Sequence, residues 1–230
     1  MSNSSHQTLP TTQSILWQSA LVFLVAFLVR WIGAGSNPVH VDELYHLLAG
    51  RSWAEEGTLR MLDGEYLRGR GFTMLIGTVF ELFGRSDLFV ARLPSIFAGA
   101  LLVSAIFWWL YREAGQKVAW IGAFLFCFAS YAILYTQFTR FYALQALLVW
   151  LGAIAVYRAL AVGVIKQALI LLVSAFVALA IAFHLQVTTV IAVIALGLWA
   201  LIDLWSQTRM RQRLGNLWRH QKLRWGVIAL

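Results

Sequence analysis

Asp42 and Glu43 stand side by side in the stretch Pro38-Val39-His40-Val41-Asp42-Glu43-Leu44-Tyr45-His46. Pro38 resists helix and Asp is a favoured N-cap, so the stretch predicts an extended lead-in to a helix over about 42–56, with Asp42 at its start. Leu44, Leu47, Leu48 and Trp53 recur at roughly helical spacing and give that helix one apolar face. A carboxylate at a helix N-terminus is stabilised as the anion by unpaired backbone N–H groups and the helix dipole. That suits a general base or a cation ligand better than a proton donor. The same residues also fit a plainer role, in which Asp42 caps an interfacial helix and Glu43 is solvated.

Residues 57–71, G-T-L-R-M-L-D-G-E-Y-L-R-G-R-G, form a glycine-rich segment with Asp63, Glu65, Arg68 and Arg70. Such a loop can wrap a polar ligand, and two close arginines suit a phosphate or carboxylate; an ordinary charged turn at the head-group boundary fits as well. Arg140 lies in a short turn, 136–140, between two apolar segments. It must find water, an anion or a carboxylate, and a lipid phosphate or Asp42 and Glu43 are the natural partners, with snorkelling to the interface as the alternative. His184, with Gln186, occupies the equivalent turn of the last hairpin, where a structural role is as natural as a binding one. Tyr45, beside the acidic pair, joins Arg140, Arg68, Arg70 and His184 as a candidate substrate contact. Asp42, Glu43, Asp63 and Glu65 are hard oxygen ligands suited to Mg²⁺ or Mn²⁺, with Asp42 the candidate metal ligand, although no spacing forms a dedicated cage.

The elements that must position these residues follow from composition. The 230 residues are 60% hydrophobic and 12% charged, with mean hydropathy +0.73, against about 45–50% and about 25% in soluble domains. This excludes a disordered tail and an ordinary soluble domain. The single Cys127 excludes a disulfide framework within the chain and any multi-cysteine metal site. Apolar segments at 15–33, 93–111, 118–135 and 141–161 are each long enough to span a bilayer. The run 167–205 is twice too long for one crossing and carries His184, Gln186, Thr188 and Thr189 at its middle, so it predicts a tight hairpin of two helices. Residues 225–230 begin a further helix. The expected fold is all-α and polytopic, with about six spans and the start of a seventh.

Residues 1–14 hold no Lys or Arg and read as a flexible cytoplasmic N-terminus rather than a secretory signal. Residues 71–84 are apolar but only 14 long and contain Glu81, so an amphipathic helix within outer loop 34–92 is expected there. The charges agree. If 71–84 does not span, loops 112–117, 158–166 and 206–224 share one side, with ten Lys/Arg and Glu113 as their one carboxylate. Positive residues favour the cytoplasm, so Asp42, Glu43, Arg140 and His184 come to the extracytoplasmic face. Most of the net charge of +8 then marks cytoplasmic ends near anionic lipid, not a nucleic-acid partner.

In order along the chain stand V-D-E-L-Y-H (41–46), L-I-G-T-V-F-E-L-F-G (75–84) and R-S-D-L-F-V-A-R-L-P-S-I-F-A-G (85–99). Later come Y-T-Q-F-T-R-F-Y-A-L-Q-A-L-L (135–148) and A-F-H-L-Q-V (182–187). Together, over roughly residues 15–205, they resemble the protein O-mannosyltransferase and lipid A aminoarabinose transferase group of GT-C membrane glycosyltransferases. The resemblance implies transfer of a sugar from a polyprenyl-phosphate donor on the outer face of a bacterial inner membrane. It places Asp42 as the acidic residue acting on the acceptor or its bound cation, Glu43 as its neighbour, and Arg140 near the donor phosphate. Where members often carry Pro-Pro, this chain reads Arg68-Gly69-Arg70-Gly71. Members are usually longer, so the chain reads as an N-terminal part. The sugar and the acceptor are left open. The rival readings are a non-catalytic membrane module and a lipid-linked substrate transporter or flippase, though transporters place ionisable groups near the midplane.

Overall fold

A computed structural model describes residues 12–61 and 64–206. Asp63, most of the expected N-terminal tail, the basic loop 206–224 beyond its first residue and the helix start at 225–230 lie outside the described residues. The elements in order are α1 (Thr12–Trp31), α2 (Val41–Glu56), β1 (Arg60–Met61), β2 (Gly64–Glu65), α3 (Arg70–Phe83), α4 (Leu88–Ala114), α5 (Gln116–Phe128), α6 (Ser130–Thr136), α7 (Tyr142–Ala161) and α8 (Ile165–Leu185). A last helix, α9, covers Thr189–Ser206. Among the described residues β1 and β2 are the only strands, an antiparallel ribbon pairing Arg60 with Glu65 and Met61 with Gly64.

Helices α1, α4, α7, α8 and α9 are long and apolar enough to cross a membrane. The chain is a multi-pass membrane protein, and α8 and α9 form the hairpin expected of 167–205. Many large side chains on these helices, Trp17, Phe176 and Ile191 among them, remain exposed, as lipid-facing surfaces require. The helices meet through small residues, which let backbones approach closely where lipid and protein are equally apolar. Ala26 of α1, Ala100 of α4 and Ala119 and Ala123 of α5 line one buried cluster. Ser104 donates to the Ser19 carbonyl across α1 and α4 at 2.8 Å.

Residues 118–135, expected as one span, are broken instead. α5 and α6 meet at Ala129 with a bend of 60°. No Pro or Gly stands there to cause it. The cause is Arg30, near the end of α1 and almost fully buried, whose guanidinium donates to the carbonyls of Phe126 at 3.2 Å and Cys127 at 3.5 Å. Those oxygens would otherwise accept from the next turn of helix, and a cation in an apolar bundle offers them a stronger donor. α6 then lies against α4 at Gly99, where a Cβ would meet Thr136 Cγ2 at 2.5 Å.

The 14-residue α3 forms where a short helix was expected, reaching about 21 Å. It packs beneath α2 through Phe72, Ile76 and Phe80, which form a second buried cluster with Phe141 and Leu185. The two helices touch at a glycine pair: a Cβ on Gly77 would meet the Gly50 carbonyl at 2.7 Å and the Trp53 side chain. Gly77→Ala therefore forces backbone apart, and overpacking of this kind costs about 1–3 kcal/mol. Thermal unfolding followed by loss of the monodisperse detergent-solubilised form should show a lower midpoint for Gly77→Ala. Gly163→Ala, where a Cβ meets open space, should leave it unchanged.

Candidate functional site

The start of α2 is built by a reciprocal cap in which His40, not Asp42, is the capping residue. Its Nδ1 accepts the Asp42 N–H at 3.3 Å, while the Glu43 carboxylate accepts the His40 N–H at 3.0 Å. Asp42, expected as the cap, sits two residues later, and its side chain is free to reach across to the 136–140 turn. There its Oδ2 lies 3.1 Å from Arg140 Nη1. Asp42 is 39% exposed and Arg140 only 4%. The partnership open to Arg140 in the sequence is thus made with Asp42.

Glu43 does something different. It is fully buried, as is Arg92 of α4, and the two form a bidentate pair: Nε donates to Oε1 at 2.9 Å and Nη2 to Oε2 at 2.8 Å. Glu43 Oε1 also accepts the Thr139 N–H at 2.7 Å. Arg92 spends its remaining donors on the carbonyls of Ala34, Asn37 (3.2 Å) and Pro38 (3.2 Å). Burial alone would raise the Glu43 pKa. Its hydrogen bonds from Arg92, His40 and Thr139 outweigh that, and the net shift is downward. Glu43 therefore lies under the site as its anchor, tying α2, the 34–38 lead-in, α4 and the 136–140 turn into one unit.

Arg140 is held equally firmly. Its carbonyl accepts from Ser95 Oγ at 2.9 Å, and Nη2 donates to the Tyr142 hydroxyl at 2.8 Å. The guanidinium lies over the rings of Phe141 and Tyr142, 5.4 and 5.1 Å from their centres. Yet its Nε–H is buried with no acceptor among the described residues. A buried guanidinium with one carboxylate and an unused N–H is under-satisfied, and an anion is what would complete it.

No family model, curated protein or solved structure matches the chain. The site must speak through its own geometry.

Around Asp42 and Arg140 the structure gathers residues that sequence reasoning did not single out. His46, fully buried on α2, has Nδ1 2.8 Å from Thr73 Oγ1 of α3 and Nε2 3.5 Å from the Tyr66 hydroxyl. Phe72, Phe141 and Tyr66 surround its ring edge-to-face. Burial first, then the charges of Arg140 and Arg68, lower its pKa to about 3, against a small opposing pull from Asp42. The Tyr66 phenol is pushed up, mainly by burial. Gly69, with φ +59°, allows the loop to pass close by; a Cβ there would meet the Phe141 ring at 2.6 Å. Tyr45 stacks on Tyr66 with ring centres 5.9 Å apart, and the pair lines an open groove of about 440 Å³ with Leu44, Met61 and Glu65.

The other candidates divide. Arg68 is exposed but close enough to act electrostatically on His46 and Tyr66, so it belongs to the cluster. Arg70 is exposed in the first turn of α3, and His184 is exposed in the last turn of α8; no hydrogen bond or ion pair links either to Asp42 or Arg140. Among the described residues no group of three His, Cys, Asp or Glu could hold a metal ion. Glu43, expected beside Asp42, is committed to Arg92, and Asp63 lies outside the described residues. A signal for Arg92 was present: an arginine two residues before Pro94, ahead of an apolar run, whose helix starts early because Asp87 accepts the Val90 N–H at 3.1 Å.

The two buried groups set an acid limit on stability. Unfolded, His46 binds a proton near pH 6.5; folded, it does so only near pH 3. The stability this contributes is complete above about pH 6.5 and is lost progressively as pH falls towards 3. Glu43 acts in the same direction within and below the ordinary carboxylate range. Resistance to unfolding should therefore fall steadily on acidification below pH 6.5. In His46→Phe, measured by the same pH series, the decline should begin only in the carboxylate range.

Proposed function

We propose that the protein is a membrane glycosyltransferase that moves a sugar from a polyprenyl-phosphate donor to an acceptor hydroxyl or amine on the extracytoplasmic face. One observation carries the reading: a half-exposed carboxylate, Asp42, 3.1 Å from a buried arginine that retains an unpaired N–H. Transfer of this kind needs a base for the acceptor and a cation for the leaving phosphate. Asp42 and Arg140 supply both within one ion pair.

The steps balance without a further reagent. The acceptor oxygen or nitrogen attacks the anomeric carbon of the donor sugar, and its proton passes to the Asp42 carboxylate. The bond from the anomeric carbon to the phosphate oxygen breaks, and its electron pair leaves with the polyprenyl phosphate. Arg140 is fixed beforehand by Ser95, Tyr142 and two aromatic rings, so it meets the developing charge without reorganising. Arg68, near His46 and Tyr66, adds a second cation from the outer side. A donor phosphate drawn to Arg140 also loosens its hold on Asp42, which frees the carboxylate to act as base when substrate is present. Tyr45, three residues along α2 from Asp42, and Tyr66 border the groove of about 440 Å³, where an acceptor can approach. Arg70 and His184 take no part in this scheme.

The outward placement rests on the positive loops 112–117 and 158–166, at the ends of α4 and α7 away from Asp42, with 206–224 adding to them in the sequence. A bacterial inner membrane is the setting that the family resemblance implies.

Purified protein reconstituted in liposomes with a labelled polyprenyl-phosphate sugar should transfer the label to an acceptor. Asp42→Asn should lower the rate by about a hundredfold or more, as loss of a general base does, with insertion unchanged. Translocation of the label without transfer would point instead to a carrier. Exhaustive chelation should leave turnover unaltered. Turnover lost to chelator and restored by Mg²⁺ or Mn²⁺ would make Asp42 a cation ligand rather than the base.

A further inference from the structure

We propose a second binding site, for an anionic glycerophospholipid, at the end of the bundle opposite Asp42, where α4 and α7 end and α8 begins. This does not rest on the transferase reading. Arg112 lies twenty residues beyond Arg92 on α4, about 30 Å along the helix. Arg158 lies in the last turn of α7. Their guanidinium groups converge from two helices on one indole, 5.2 and 5.3 Å from the centre of the Trp108 ring.

A cation in the last turn of each helix is explained by the helix dipole. Convergence of two like charges on the same ring is not, because they repel one another in a setting of low dielectric. Neither arginine has a carboxylate at ion-pair distance among the described residues. The nearest acidic group on α4, Glu113, accepts a hydrogen bond from the Tyr157 hydroxyl at 3.0 Å. Lys117 and Lys166 begin the neighbouring helices, and Asp203 of α9 is close enough to act electrostatically on Tyr157. Among the described residues, cations outnumber carboxylates at this end by four to two.

Arg158 also lines a groove of about 560 Å³, with Glu113, the neighbour of Arg112, on its α4 side. One part is polar, with Arg158, Tyr157, Glu113 and Gln167; the rest is apolar, with Ile170 and Leu171 continuing onto the exposed face of α8. A free phosphate would use only the polar part and make no contact with the apolar wall. A phospholipid with net negative charge fills both, its phosphate shared by Arg112 and Arg158 and its acyl chains along α8. Basic pockets between transmembrane helices recognise anionic head groups in this way.

The test is native mass spectrometry of the purified full chain in non-ionic detergent, titrated with dioleoylphosphatidylglycerol or dioleoylphosphatidylcholine. The anionic lipid should be retained about tenfold more tightly than the zwitterionic one, and the Arg112→Gln/Arg158→Gln protein should lose that preference. Arg85→Gln, which removes a cation from the other end, should keep it. If the double variant does not stay monodisperse, Arg112→Gln and Arg158→Gln singly should each weaken retention about threefold. Equal retention of both lipids, undiminished retention by the variants, or displacement of the anionic lipid by equimolar inorganic phosphate would overturn the proposal.

Discussion

The outer face of this protein hangs on the ion pair between Glu43 and Arg92. Both groups are withdrawn from water, and a lone charge at either position would be strongly destabilising, by about 3–5 kcal/mol. The pair survives burial because every remaining donor and acceptor is used. Arg92 gathers the carbonyls of Ala34, Asn37 and Pro38, while Glu43 gathers the N–H groups of His40 and Thr139. One contact thus fixes three pieces of chain that are distant in sequence: the lead-in to α2, the start of α4 and the turn before α7. A second stitch lies next to it, where Asn37 donates to Gln137 at 2.7 Å and Gln137 donates to the Arg30 and Ile32 carbonyls.

Everything proposed for the chemistry is a consequence of that arrangement. With Thr139 held by Glu43, the next residue, Arg140, is presented at a set distance from Asp42, itself one residue before Glu43. In the proposed reaction the two adjacent carboxylates divide the labour: the buried one builds, and the half-exposed one would face substrate. His46, one turn further along α2, extends the same logic by accepting burial in its neutral form and bridging Thr73 and Tyr66. In the proposed reaction Arg140 and Asp42 need not be held by substrate, because the fold has already placed them.

Much of this was legible in the sequence and part of it was not, for physical reasons. The long apolar helices follow from hydropathy, and the hairpin in 167–205 follows from four polar residues at its centre. The short α3 follows from its length. The link between Arg140 and an acidic partner follows from the cost of leaving arginine unpaired among apolar segments. What stayed hidden depends on contacts between residues far apart in the chain. Glu43 and Arg92 are 49 positions apart, and nothing in V-D-E distinguishes a structural carboxylate from a reactive one. The α5–α6 break is imposed by Arg30 from nearly a hundred residues away, on a segment whose own residues favour continuous helix. His184 matched Arg140 by position in a turn, but a turn residue joins a site only if its helix points there, and the periodicity of α8 could not fix that.

Glu43 and Arg92 thus act as one unit that positions Asp42 against Arg140. A double-mutant cycle on the stability of the micelle-embedded protein tests it most directly, comparing Glu43→Gln, Arg92→Met and the combined variant by denaturant unfolding. Each single variant should lose about 3–5 kcal/mol through the charge or donors it strands, and the double should lose no more than the worse single. Losses that simply add would contradict the account, since the two residues would then stabilise the fold independently.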